Sequence, residues 1–462
     1  MASSLFVSLT ISLLPILLFQ AATGEAPAPA ELPRSELAAI FRVMGDLLGD
    51  PTWAELHPRP CTDTPWPGLQ CELAPDDSRR LRATRLHFGP DVSAPPCRPG
   101  ARLAAPAILG LPHLRTLSLF GCFVGRPVEL PPALFTNTSS LEQLVLKSNP
   151  GLTGRIPATL SNLRTSLQVL SLSQNGFRGE IPRELGGLAA LQQLDLSYNN
   201  LTGQIPEEIG GMTRLTILDL SWNGIEGGVP GALGSMRMLQ KADLSYNRFV
   251  GQVPPEIGSL KELVFLDLSH NGLAGPLPAT LSGLSKLQYL LLQDNPIGTA
   301  VPAVVGSLRG LQVLGLSGCN LTGPIGPFFA ALGGLMALSL DRNRLDGPIP
   351  ASLGALPHLG QLNLSQNRLA GEIALPREFV ARLGRRLDVR GNDELCVGRG
   401  LRASFLGAPP PCVAGGGGPG NVNGTSSALE DEGSGCRGYG VVGGLGGLLC
   451  HLVVLLMLVL DL

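Results

Sequence analysis

The chain has 462 residues, among them 60 Gly and 40 Pro; 44% are apolar, 15% charged and only 5% aromatic. So few aromatic rings cannot centre a large globular core, and the profile suits a turn-rich repetition better than an ordinary enzyme fold. With 34 basic and 36 acidic side chains the net charge is −2, which excludes a basic nucleic-acid binder and any general attraction to an anionic membrane.

Residues 1–26 read as a signal peptide. Leu5 to Phe19 is apolar, has the length of a secretory core and is followed by small residues, so cleavage is expected after Gly24 or Ala26. The segment before it has no Lys or Arg and relies on the amino terminus for its positive charge. Residues 27–110 then form an N-terminal cap. Leu37, Ile40, Phe41, Met44, Leu47 and Leu48 recur at helical spacing, with Ser35 as N-cap and Pro51 as the stop. Cys61 and Cys71 bracket Trp66 in CTDTPWPGLQC, which in an oxidising compartment reads as a disulfide-stapled cap.

Residues 111–395 repeat with a period of 24. Copies start at Leu191, Leu215, Leu239, Leu263, Leu287, Leu311, Leu335 and Leu359, and looser ones at Leu114, Leu141 and Leu167, about eleven in all. In L-x-x-L-x-L the leucines point inward and stack on the next coil, building a core that no single repeat could bury. After each strand comes Asn: 175, 199, 223, 247, 271, 295, 343 and 367. An amide there satisfies buried backbone groups that would otherwise cost about 1–3 kcal/mol each. Cys122 and Cys319 take this position as small buried thiols, while Cys97 either pairs with Cys122 or stays free. Gly326 and Ala374 stand where the other copies have Pro, so those two coils are expected to be looser. The predicted fold is an α/β solenoid with a concave parallel sheet.

Cys396 and Cys412 close the C-terminal cap, residues 396–412. Residues 413–440 are a Gly-rich stalk that cannot bury a core. Residues 441–462 are an apolar tail with no cation after it. Small residues, a polar spacer and that tail together match a GPI-attachment signal, a transmembrane segment being the alternative.

Side chains between the inward leucines face the concave sheet. The residue before each Asn gives Tyr198, Trp222, Tyr246 and His270, with Phe265 and Tyr289 one strand position earlier. Such aromatic anchors suit a binding face. Beside them Asp195, Asp219, Asp243 and Asp267 bias the face toward cationic or hydroxyl-rich ligands. Sequons stand at Asn137, Asn200, Asn320, Asn363 and Asn423, and Asn363 is expected on a strand, pointing into the concave face. No nucleophile motif, phosphate-cradling loop or metal-ligand spacing is present, so no catalytic residue, cofactor or metal is expected. Glu207-Glu208 and Asp76-Asp77 read as solvated pairs.

The L-x-G-x-I/V-P element, as in LDLSYNNLTGQIP, resembles the plant-type leucine-rich repeat, which implies a superhelix with disulfide-stapled caps. Together with PWPGLQC, LRTLSLFGCF at 114–123 and the apolar tail, it resembles plant leucine-rich-repeat receptor-like proteins. The similarity is to the Piriformospora indica-insensitive protein group, and more distantly to Too Many Mouths. The resemblance implies a non-enzymatic protein at the outer face of the plasma membrane. Such a protein binds a peptide or protein ligand and signals through a receptor kinase ectodomain in defence, symbiosis or development. Length and repeat type also resemble the polygalacturonase-inhibiting proteins, which implies the alternative of a secreted inhibitor of a cell-wall-degrading enzyme; the stalk and tail count against it.

Overall fold

The computed structural model describes residues 30–50, 52–89, 97–135, 140–398 and 409–412. The expected signal peptide, stalk and tail, with Asn137 and Asn423, lie outside them. Each coil opens on a short strand whose middle side chain turns inward. Gln193–Asp195, Ile217–Asp219, Lys241–Asp243 and Phe265–Asp267 pair in parallel and in register, stacking Leu194, Leu218, Ala242 and Leu266 in the core. Among the described residues these strands belong to a sheet of 14, from Leu69–Ala74 to Leu387–Asp388. Its first pair is antiparallel and the later ones are parallel. This is the solenoid that the repeat predicts.

Behind the sheet each coil runs through an extended proline into a 3-10 turn. Pro206 and Pro254 hold φ near −68° and −69° ahead of Glu207–Gly211 and Pro255–Ser259. The two coils lacking that proline go different ways. Gly326 takes the same extended backbone, φ −71° and ψ 149°, and opens the turn Pro327–Ala331. After Ala374, Pro376 starts an α-helix, Arg377–Leu383, which buries Phe379, Val380 and Leu383. A column of glycines lets neighbouring turns touch. At Gly258 a Cβ would overlap the Thr280 carbonyl, whereas at Gly187 it would meet nothing within 4 Å.

The asparagine ladder extends by one member at each end, to Asn149 and Asn392, both buried. Asn223 is typical. Its amide nitrogen donates to the carbonyls of Leu196, Leu220 and Ser221 at 2.9, 3.2 and 3.2 Å, and its oxygen accepts the Leu201 N–H at 3.0 Å. Where Cys replaces Asn, the next coil compensates: Asn149 accepts the Cys122 and Phe123 N–H groups, and Asn343 those of Cys319 and Leu321.

The N-terminal helix spans Arg34–Leu47, two residues earlier than Ser35 as N-cap would start it; Pro33 precedes it and no side chain caps it. Glu36 is buried instead and accepts from Arg82 Nη1 at 2.6 Å. Cys61–Cys71 and Cys396–Cys412 are bonded. Cys122 is not a thiol: it is bonded to Cys97 and ties the cap to the first coil. Cys319 is the one free cysteine among the described residues, and burial pushes its thiol up to about 12.

Candidate functional site

The residue before each ladder Asn does not lie on a strand. It follows the strand with positive φ, 53° at Tyr198, 55° at Trp222, 52° at Tyr246 and 54° at His270. The left-handed backbone costs a non-glycine residue on the order of 1–2 kcal/mol, and a hydrogen bond to the next coil offsets it. Tyr198, Trp222 and Tyr246 donate their N–H groups to the carbonyls of Ser221, Ser245 and Ser269 at 2.9–3.0 Å. Because every coil makes the same turn, the side chains project in parallel along the rim of the sheet.

Their spacing follows that of parallel strands, about 4.8 Å. Tyr198 and Trp222 stack with centroids 5.3 Å apart, Trp222 and Tyr246 at 3.8 Å, and Tyr246 and His270 at 4.0 Å, all within 21° of parallel. Both faces of Trp222 and Tyr246 are thus spent on neighbouring rings, and edges, hydroxyls and the unstacked face of Tyr198 are what a ligand meets. Tyr198 and Trp222 are 49% and 42% exposed. Burial, then Asp219 and Asp243, raise the Tyr198 phenol above its ordinary pKa; burial, then Asp267 and Asp294, do so for Tyr246.

The ladder continues as charge. His270 Nδ1 lies 3.4 Å from Asp294 Oδ2, and Asp294 Oδ1 accepts from Arg342 Nη1 at 2.8 Å. The intervening coil contributes Gly318, where any Cβ would strike Asp294; its bareness lets Arg342 reach across.

The concave strands carry the rest. Phe265 and Tyr289 open their strands, away from the ladder, and their rings lie 5.9 Å apart. Phe265 and Asp267 are buried, so of the ten residues singled out as a binding face these two offer little surface. Asp195, Asp219 and Asp243 are half-buried. Each turns one carboxylate oxygen on the serine two residues later, as Asp219 does on Ser221, whose N–H and hydroxyl donate at 3.2 and 2.7 Å. In these coils the column braces the turn, and the second oxygen remains for other partners. Lys241, which the sequence pattern did not single out, donates to Asp219 at 3.1 Å and sits 5.6 Å over the Phe265 ring. Burial works against its charge, but Asp219, Asp243 and Asp195 outweigh it and hold its pKa above the ordinary value. Asp243, half-buried between Asp219 and Asp267, is pushed up to about 7 by desolvation and then by those two carboxylates.

On the other flank of the ladder a groove of about 380 Å³ runs from Asn200 past Trp222, Gly224 and Tyr246 to Arg248 and His270. Asn200 and Asn320 are exposed, and Asn363 ends the strand Gln361–Asn363 half-buried, its oxygen accepting from Ser365. No group of three or more potential metal ligands occurs among the described residues.

Residues 165–225 and 309–369 match the Leucine rich repeat family model, and residues 238–260 and 262–284 a second model of the same description. The chain is 40% identical over 177 residues to Receptor like protein 29 of Arabidopsis thaliana, covering 38% of this chain and 36% of that protein. It is 36% identical over 152 residues to Piriformospora indica-insensitive protein 2 of the same plant, covering 32% and 34%. The chain thus spans about a third of the length of these relatives. Among solved structures, PEPR1-AtPEP1 superposes with a TM-score of 0.66 at 29% identity, over 79% of this chain and 49% of that one. The plant peptide hormone receptor RGFR1 in complex with RGF2 does so at 0.50 and 29%, over 64% and 54%.

Proposed function

Starting from a leucine-rich-repeat solenoid similar to plant receptor-like proteins, we propose that this chain is an extracellular receptor-like protein. It binds a peptide or a partner receptor's ectodomain on its concave face, and signals through a receptor kinase in defence, symbiosis or development. The observation that carries this reading is the ladder Tyr198–Trp222–Tyr246–His270 along the rim of the acidic column. Two half-exposed aromatic rings beside half-buried carboxylates combine apolar anchorage with a charge preference. The peptide hormone receptor complex among the similar structures supports the ligand class.

Stacking sharpens the chemistry. With both faces of Trp222 and Tyr246 covered, the hydroxyls of Tyr198 and Tyr246 and the indole N–H of Trp222 supply directional contacts, and Asp195, Asp219 and Asp243 favour a cationic group on the ligand. Attachment to the outer face of the plasma membrane would come from the apolar tail. Release of the tagged protein from intact cells by a phosphatidylinositol-specific phospholipase is the expected result for a GPI anchor, and retention would argue for a spanning segment.

The decisive experiment replaces Trp222 and Tyr246 by Ala and measures binding to a panel of receptor-kinase ectodomains and their peptides. Loss of a central aromatic anchor should weaken binding by about 2 kcal/mol or more, roughly thirtyfold. Unchanged affinity for every partner bound by the parent protein would remove the ladder from the site.

A further inference from the structure

The groove on the far flank of the ladder belongs to neither the concave face nor the core. Its walls are the edges of Trp222 and Tyr246, the bare backbone at Gly224 and the exposed guanidinium of Arg248. Aromatic edges carry partial positive charge and, with amides and a guanidinium around an open trough, suit the many oxygen atoms of a sugar. One end of the trough is Asn200 itself, exposed, in the sequon Asn200-Leu201-Thr202 with Thr202 also exposed.

We propose that the groove is the seat of this chain's own N-glycan, attached at Asn200 and laid along the outer flank of Trp222 and Tyr246. In the secretory pathway the Asn200 amide nitrogen attacks the anomeric carbon of a lipid-pyrophosphate-linked oligosaccharide. A new N–C bond forms, the C–O bond to the lipid pyrophosphate breaks, and the amide loses one proton. The first sugars then have a trough at their point of attachment, so little chain entropy is lost in filling it. The glycan covers aromatic surface that would otherwise stand in water and leaves the concave columns open. The proposal rests on the extracellular part of the reading above and shares Trp222 and Tyr246 with its ligand site, so glycan and ligand would have to meet different edges of those two rings.

Trp222 supplies the readout, because the other two tryptophans, Trp53 and Trp66, are each only 3% exposed. The full chain secreted from plant cells would be mapped by glycopeptide mass spectrometry, and its tryptophan fluorescence quenched with acrylamide. A glycan is expected on Asn200, together with a low quenching constant. In Asn200→Gln and in Thr202→Val, which removes the sequon and keeps the asparagine, the constant should rise and the emission shift to the red. Asn320→Gln, which removes a sequon outside the groove, should leave both unchanged. Asn200 found bare while Asn320 is modified would overturn the proposal, as would equal quenching with and without the Asn200 glycan. Bare asparagine at every sequon would overturn this proposal and the extracellular reading together, whereas a failure of ligand binding alone touches only the latter's ligand.

Discussion

Replacing Asp243 by Asn removes a charge that burial and the neighbouring carboxylates both oppose. Burial, reinforced by Asp219 and Asp267 on the adjoining strands, pushes the Asp243 carboxyl from an ordinary 3.8 up to about 7, against the pull of Lys241 and Ser245. A carboxyl whose pKa is raised on folding is protonated more readily in the folded chain. It therefore contributes stability that is fully present below its unfolded pKa and is lost as pH rises through the folded one. The gap corresponds to at most about 4 kcal/mol, and on the order of 2 kcal/mol is expected once neighbouring side chains relax. Asn fits the site, because Asn363 occupies the same column and accepts from the Ser365 N–H and hydroxyl at 3.1 and 2.8 Å. Asp243 does the same from Ser245 at 3.2 and 2.6 Å. Urea midpoints followed by circular dichroism from about pH 4 to about pH 8 should fall with pH in the parent. They should be flatter in Asp243→Asn, which is the more stable protein at the upper end. Parallel profiles, or a variant less stable than the parent above pH 7 or so, would refute the argument.

Gly258→Ala should destabilise the chain by about 1–3 kcal/mol, because a Cβ there drives into the Thr280 carbonyl of the next coil. Gly187→Ala, with nothing within 4 Å, should be neutral or slightly stabilising; equal urea midpoints for the two would show that the 3-10 turns are not close-packed. Asn223→Ala strands the Leu201 N–H and leaves the carbonyls of Leu196, Leu220 and Ser221 with one donor each, from Asn199, Asn247 and the Tyr198 N–H, and should cost about 1–3 kcal/mol in the same assay. Faster hydrogen exchange of the Leu201 amide should accompany that loss, and unchanged exchange would mean that water takes the place of the ladder.

The sequence by itself determined the coil. A 24-residue period places Leu194, Leu218 and Leu266 in one buried column, and a polar amide at a fixed point of each turn fixes where the chain bends. Such features are legible because stacking converts sequence period into spatial neighbourhood, whatever the detail of the turn. The aromatic series was legible in the same way, as a register, and the residues before each Asn do form one continuous ladder. Its position was not. Strand alternation puts those rings on the concave face, but the backbone has already left the strand and crossed to positive φ, which swings them to the rim. Phe265 and Asp267 carry the right chemistry in the right column and yet are covered by their neighbours, which only packing decides. Two partnerships were settled only by the third dimension, one of them unforeseen and the other an open alternative. Arg342 meets Asp294 because the coil between them offers Gly318, a contact between residues two periods apart. Cys97 finds Cys122 across a turn whose path no repeat pattern specifies. A one-dimensional period encodes which residues recur on one line. Which line faces water, and which side chains reach past their nearest coil, depends on the sign of a backbone angle and on the bulk of the residue in between.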